Sequence, residues 1–152
     1  MVSAMLEVPH FRQLNDNADL VACAQMVLAY YGRPSEIDRL ITLFDGVSDN
    51  TMVAQVMQLK KWGYGVSAGP TDIEQIQSWL RHSIPPIVAL GNGAMSEKES
   101  PQMVVLVGLD QQNAYLNDPR LKDHPHSMSL SDFTMAWNAA GQMGAAVMQM
   151  TY

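Results

Sequence analysis

The spacing of apolar residues changes near residue 83, and this change constrains the fold more than any other feature. Before it, apolar residues recur at the spacing of amphipathic helices. After it come short apolar runs separated by glycine, asparagine, aspartate and proline, a pattern typical of strands: 86–90, 103–109, 114–117 and 145–151. A helical half followed by a β half predicts an α+β fold rather than a parallel α/β fold.

Four helices are predicted in the first half and one in the second. The first runs from Asp19 to Gly32, and Gly32 stands where a C-terminal cap belongs. Gly63 should end the third helix. The predicted N-caps of the other four helices are Ser35, Asn50 or Thr51, Thr71 and Ser131.

Composition limits the class of protein. A chain of 152 residues with 47% hydrophobic content predicts one domain, 1–152. The net charge of -6 argues against nucleic acid and anionic membranes as partners. A single cysteine excludes an internal disulfide, and neither a signal peptide nor a membrane-spanning apolar run is visible. These features predict a cytoplasmic protein, and a domain excised from a larger protein fits them as well.

Short motifs follow one another along almost the whole chain. Gln13 precedes Asp19 by six residues, and the helix that Asp19 begins ends in Met-Val-Leu-Ala-Tyr-Tyr-Gly at 26–32. Further motifs are Trp62-Gly63, Ile-Pro-Pro-Ile-Val at 84–88, the apolar run within 100–108, Asn117-Asp118-Pro119, and the pair Phe133 and Trp137. In this order they resemble the motifs of the peptidase C39-like family of papain-fold proteins.

The resemblance implies a fold and a site. The fold is papain-like, with a helical lobe at about 1–82 packed on an antiparallel β-sheet lobe at about 83–152. Asp19 stands at the position of the family's catalytic cysteine, Gln102 at that of the histidine, Asp118 at that of the residue orienting the histidine, and Gln13 at that of the oxyanion-hole glutamine.

The chain departs from the family's pattern at the two positions that carry out catalysis, those of the nucleophile and the base. A papain-like mechanism needs a thiolate at the helix N-terminus and an imidazole that protonates the leaving group. Attack by the Asp19 carboxylate would give a mixed anhydride, and the Gln102 amide has no proton that titrates near neutral pH. Loss of the nucleophile or the base of a triad costs on the order of 10⁶ in turnover, from the subtilisin example. The sequence therefore predicts that peptidase activity is absent.

Each of the four positions also has a purely structural interpretation. Asp19 is either a simple helix N-cap or a cap that also contacts a ligand. Gln102 is expected to bond to Asp118 or to Asp19 rather than to act as a catalyst. Gln13 is either functional or a satisfied polar residue in a closed cleft, and Asp118 before a proline is also an ordinary strand-ending turn.

Cys23 lies one helical turn after Asp19 and is the only thiol that could replace the missing nucleophile. Its spacing of ten residues from Gln13 does not match the family, and its neighbours Ala22 and Ala24 predict packing in the core. A redox role and a shifted nucleophile are the alternatives.

The remaining histidines and methionines give weaker signals. His124 and His126 flank a proline in a polar turn and predict a loop rather than a metal site. Met148 and Met150 share one face of the last predicted strand, where they are interpreted as core residues, or alternatively as an exposed surface for a partner. No metal and no cofactor is expected.

Taken together, these features predict a catalytically inactive domain that binds a peptide or protein partner. The expected cleft is lined by Gln13, Asp19, Gln102 and Asp118. One alternative is an active C39-type hydrolase with an unusual nucleophile, such as Cys23 or a pair of carboxylates. Another is a structural or regulatory subunit that self-associates as a homo-oligomer. Nucleic-acid binding and membrane insertion are not expected.

Overall fold

The computed structural model describes residues 5–15, 18–48, 51–91, 101–122 and 124–150. The helices are α1 (Asp19–Tyr30), α2 (Ile37–Asp45), α3 (Met52–Val56), α4 (Ile73–Arg81) and α5 (Leu130–Ala139), and a 3₁₀ segment, Met57–Trp62, continues α3. The strands are β1 (Gly65–Pro70), β2 (Ile87–Leu90), β3 (Gln102–Leu109), β4 (Asn113–Asn117), β5 (His126–Ser129) and β6 (Met143–Met148).

The strands form one six-stranded sheet in the order β1-β6-β2-β3-β4-β5. Every neighbouring pair is antiparallel. The predicted α+β class is confirmed. The two edge strands were not predicted, because β1 has few large apolar residues and β5, His-Ser-Met-Ser, is mostly exposed.

Helices cover both faces of the sheet. On β3, Val105 and Val107 belong to the apolar cluster formed with α1, α2 and α3. The alternate residues Val104 and Leu106 belong to the cluster formed with α4 and α5. All four side chains are at most 2% exposed. A strand buried on both faces is apolar at successive positions, which explains the unbroken run in the sequence.

The two helix ends that were predicted from a glycine are confirmed. Gly32 and Gly63 have φ of +75° and +92°, a conformation that glycine adopts without the penalty of a Cβ atom. The N-terminal cap of α3 is also confirmed, since the Thr51 hydroxyl accepts a hydrogen bond of 3.2 Å from the N–H of Ala54.

Three other predicted caps are displaced by one or two residues. The observed cap of α4 is Asp72, which accepts from the N–H of Gln75 at 2.8 Å, and that of α5 is Ser129, which accepts from the N–H of Asp132 at 3.0 Å. The predictions that are wrong are Ser35, Thr71 and Ser131. At α4 and α5, neighbouring Ser, Thr and Asp residues all fit a cap, so the sequence does not distinguish between them. The cap of α2 is Glu36, which makes no side-chain capping bond.

In the parts of the chain that the structure describes, no helix is both long enough and apolar enough to span a membrane.

Candidate functional site

The carboxylate of Asp19 connects the N-terminus of α1 to the beginning of β3. Its Oδ2 accepts a hydrogen bond of 2.8 Å from the backbone N–H of Met103. The pairing of β4 with β3 ends at Asn117, opposite Val105. Met103 thus lies beyond the paired part of β4, and the Asp19 side chain supplies the acceptor for its N–H.

Asp19 is not the N-cap of the helix. Ala18 occupies that position and makes no side-chain capping bond. The prediction that Asp19 is the N-cap, which both interpretations share, is therefore wrong. Its Oδ1 accepts a bond of 3.0 Å from the N–H of Leu20. In the first turn, the negative charge still stabilises the helix dipole.

Gln102, at the histidine position, is bonded to Gln13. Its Nε2 donates to Gln13 Oε1 at 3.0 Å and also to the carbonyl of the next residue, Met103, at 3.3 Å. The expectation that Gln102 would bond to Asp118 or to Asp19 is therefore wrong. The structure does bring two of the predicted site residues, 89 positions apart in the sequence, into direct contact.

The side-chain amide of Gln13 is turned back toward its own segment. Its Nε2 donates to the carbonyl of Asn15 at 2.8 Å, while its backbone N–H donates to the carbonyl of Pro119 at 3.0 Å. An oxyanion-hole donor points at the place where negative charge develops. One of the two N–H donors of the Gln13 amide is thus used within its own segment.

Asp118 is paired with an arginine. It is 4% exposed, and its Oδ1 accepts from the backbone N–H and the Nε of Arg120 at 2.9 and 3.2 Å, while Oδ2 accepts from Nη2 at 2.9 Å. These hydrogen bonds, together with the charges of Asp118 and Asp19, raise the pKa of Arg120 against the opposing effect of its burial. Sequence reasoning missed Arg120, although its position two residues after Asp118 in a proline turn was a usable signal.

One imidazole approaches Asp118, but it contacts the backbone. His10 Nε2 donates to the carbonyl oxygen of Asp118 at 2.9 Å. Its ring stacks on that of His124, with 4.8 Å between centroids and 3° between planes. His10 was not predicted as a site residue. Its contacts connect the N-terminal segment to the residues that follow β4.

Cys23 is completely buried in α1. Burial, with the nearby negative charges of Asp19 and Asp118, raises the pKa of its thiol well above the usual value. A thiol in this state is neutral and inaccessible. The prediction that Cys23 packs in the core is confirmed.

The remaining candidates from the sequence lie outside this cluster. His124 and His126 are exposed, and within the described ranges no three His, Cys, Asp or Glu residues could hold a metal ion. Met148 is half-buried, whereas Met150 is 52% exposed, so the prediction that Met150 is a core residue is wrong.

Comparisons with known proteins agree with the motifs. The sequence profile of the Peptidase_C39 like family matches residues 5–145. No curated protein matches the chain. A structure described as a C39-like peptidase from Bacillus anthracis is 18% identical, covers 100% of both chains, and superposes with a TM-score of 0.81.

Two peptidases of transporters are also similar. One is a double glycine motif protease from an AMS/PCAT transporter, solved in complex with the leader peptide. It is 17% identical, the match covers 97% of this chain and 95% of that chain, and the TM-score is 0.74. The other is the peptidase domain of Streptococcus ComA, a bi-functional ABC transporter: 19% identity, coverage of 92% and 97%, TM-score 0.73. At these identities the likeness shows the fold, and the predicted papain-like architecture is confirmed.

Proposed function

Because the chain belongs to the Peptidase_C39 like family, we propose that it is a catalytically inactive member that binds a peptide or protein partner through the former active-site cleft. The observation that carries this proposal is the bonding at the three catalytic positions. Asp19 is bonded to Met103, Gln102 to Gln13, and Asp118 to Arg120.

The first two positions lack the groups that acyl transfer needs. Asp19 offers a carboxylate whose Oδ2 is already a hydrogen-bond acceptor within the fold. Gln102 offers an amide, which can position a neighbour but cannot carry a proton between two reacting atoms. Both differ from the family's nucleophile and base, so the loss of turnover is on the order of 10⁶.

The third position supports the same conclusion independently. In a working triad the acidic or amide residue holds the imidazole in the right orientation. Here both carboxylate oxygens of Asp118 are bonded to Arg120. Restoring a cysteine and a histidine would therefore still leave the orienting group engaged.

Peptide binding is supported by one structural neighbour. The transporter peptidase described above was solved in complex with the leader peptide, so a protein of this fold binds a peptide. In the present chain, Gln13, Asp19 and Gln102 are all half-buried. Each carboxylate or amide oxygen can accept two hydrogen bonds, and the Gln13 amide has two N–H donors, so these groups keep capacity for a peptide backbone beside the bonds described above. Such groups bind a peptide without any covalent step.

The alternative of an active hydrolase that uses Cys23 is opposed by the position of the thiol. A nucleophile must reach the substrate as a thiolate, whereas the side chain of Cys23 is 0% exposed and its pKa is raised.

The test is selection of peptides from a random display library, followed by calorimetric titration. Asp19→Arg, at the start of α1, and Gln102→Arg, at the start of β3, each introduce a large cation at the proposed cleft and should abolish binding of the selected peptides. Asp132→Arg is the matched control, because Asp132 also lies in the first turn of a helix and is exposed. Unchanged affinity in both cleft variants, with native circular dichroism, would contradict the cleft model.

A further inference from the structure

Strand β1, Gly65–Pro70, is an edge of the sheet and carries no charged side chain. In the described part of the chain it pairs with β6 alone. All six of its residues are at least partly exposed. An exposed, uncharged edge strand presents unpaired backbone N–H and C=O groups to which another strand can bond.

The pairing of β1 with β6 shows which backbone groups of β1 point to the free edge. Every second residue of an antiparallel strand bonds to its partner strand. The N–H of Thr71 donates to the carbonyl of Gln142 at 2.9 Å, and this pair continues the register of β1 with β6. Counting back by twos, β1 bonds to β6 at its odd-numbered residues. Val66 and Ala68 therefore direct their N–H and C=O groups away from β6, and no other group in the described ranges bonds to them.

Pro70 limits the free edge to a short stretch. It is the third even-numbered residue of β1, and it has no N–H to donate. Proline is tolerated in a strand at such an outward position. The free edge thus offers two complete pairs of N–H and C=O groups, arranged symmetrically about Ser67.

A second copy of the same strand matches this arrangement in antiparallel orientation. With a twofold axis at Ser67, Val66 of one copy lies opposite Ala68 of the other, and the two residues exchange both of their N–H···O bonds. The axis generates the same pair again, so about four hydrogen bonds form. Val66 and Ala68 both pack on the α1 side of the sheet, so their side chains meet on one face.

The charges that flank β1 favour the same orientation. Lys60 and Lys61 lie in the last turn of the 3₁₀ segment before β1, whereas Asp72 and Glu74 lie at the start of α4 after it. All four side chains are exposed. In an antiparallel pair the beginning of one β1 lies beside the end of the other. Basic residues of each copy then lie next to acidic residues of the other, which favours this orientation over a parallel one.

The other edge strand, β5, is a poorer match. The N–H of Leu130 donates to the carbonyl of Gln112 at 2.8 Å, so the same alternation turns Ser127 and Ser129 outward. Ser129 is already the N-cap of α5, where the chain leaves the sheet. Only Ser127 is left with a complete pair of outward groups.

We propose that β1 pairs with β1 of a second copy of this chain, so that the sheet continues across a twofold axis. An interface of two short strands is small, so the dimer dissociates on dilution. This proposal does not depend on the proposed function, because β6 and β2 separate β1 from β3, which carries Gln102.

Sedimentation velocity and a cysteine cross-link test the dimer directly. The wild-type protein should change from monomer to dimer as its concentration rises to about 1 mM. Ser67→Cys should form a disulfide-linked dimer under mild oxidation, because the Cα atoms of a non-bonded antiparallel pair lie about 4.5 Å apart. Ser131→Cys, exposed in α5, is the control and should cross-link at least about tenfold more slowly. A monomer at every concentration, or equal cross-linking of the two variants, would overturn the proposal.

A proline at the free edge should prevent the pairing without removing a bond to β6. Ala68→Pro lacks the outward N–H, so dimer affinity should fall at least about tenfold. Ser127→Pro makes the same change at the other edge of the sheet and should leave the dimer unchanged. Circular dichroism checks that both variants are folded. An equal effect of the two prolines would contradict the assignment to β1.

Charge reversal tests the orientation with the edge itself intact. Lys61→Glu should weaken the dimer about fivefold, and adding Glu74→Lys should restore its affinity. Lys122→Glu changes the net charge equally at an exposed site after β4 and should have little effect. No recovery in the double variant, or an equal loss in Lys122→Glu, would contradict the antiparallel register.

Discussion

Asp19 Oδ2 and the backbone N–H of Met103 are joined by a hydrogen bond of 2.8 Å between residues 84 positions apart. A carboxylate at the nucleophile position therefore connects the N-terminus of α1 to β3. Because it bonds to the backbone, this contact depends on the residue at 19 and not on the residue at 103.

Removing that carboxylate should weaken the fold. Asp19→Ala leaves the Met103 N–H without its charged acceptor, and we expect a loss of about 1–3 kcal/mol in the free energy of unfolding. Asp19→Asn keeps an oxygen acceptor and should cost less. Urea denaturation measures both. The exposed Asp132, also in the first turn of a helix, is the control, and an Asp132→Ala effect as large as that of Asp19→Ala would contradict the interpretation.

A substitution at Ser83 should instead increase the stability of the protein. The Ser83 φ of +59° disfavours a residue with a Cβ atom, so Ser83→Gly should stabilise the protein by about 0.5–1 kcal/mol. Ser131→Gly, in the first turn of α5, should instead destabilise it by up to about 0.5 kcal/mol. Thermal unfolding of the two variants checks the signs, and a destabilised Ser83→Gly protein would show that the serine side chain stabilises the turn that follows α4.

Asp110 should give the stability a dependence on pH. The hydroxyl of Tyr115 donates to its Oδ2 at 2.7 Å, and this bond, followed by those from the N–H groups of Gln112 and Asn113, lowers the pKa of Asp110. A lowered pKa in the folded state means that the contribution is present above the ordinary value of 3.8 and is lost as the pH falls through the folded value.

The measurement is the Tm of wild type and Tyr115→Phe between neutral pH and about pH 3. The variant lacks the largest cause of the shift, so its disadvantage relative to wild type should shrink as the carboxyl is protonated. A difference in Tm that stays constant with pH would contradict the role of Asp110.

Arg120 should limit any attempt to restore a triad. In an Asp19→Cys/Gln102→His protein, Asp118 remains bonded to Arg120, so the new imidazole is not oriented and the new thiol is not activated. Adding Arg120→Ala frees the carboxylate. We expect iodoacetamide to label the triple variant faster at neutral pH than the double variant. Equal labelling rates would contradict the prediction that Arg120 keeps Asp118 from orienting the new imidazole. The wild-type protein is the control for labelling of Cys23, which is buried.

Much of the fold could be predicted because its signals are local. The apolar face of α1 and the positive φ of Gly32 follow from a few adjacent residues, as does the doubly buried run of β3. Strand β1, in contrast, is Gly-Val-Ser-Ala-Gly-Pro and is defined by its pairing with β6 along its whole length. No local pattern reports that pairing, which joins distant parts of the chain.

The hydrogen bonds at the four candidate site positions could not be predicted from the sequence. Gln13 and Gln102 were both identified, yet their hydrogen bond joins residues 89 positions apart and depends on how the N-terminal segment lies against β3. The pairing of Asp118 with Arg120 was missed for a different reason. The family's pattern predicts the residue at the histidine position as the partner of Asp118, whereas the turn after β4 brings the neighbouring Arg120 onto its carboxylate.

The central claim is that the domain binds a peptide without cleaving it. The most direct measurement is mass spectrometry of a selected peptide after long incubation with an equimolar amount of protein, with its Kd determined before and after. The account predicts an intact peptide, an unchanged Kd, and no binding to Asp19→Arg. Cleavage products that form with the wild-type protein and are absent with Asp19→Arg would contradict it.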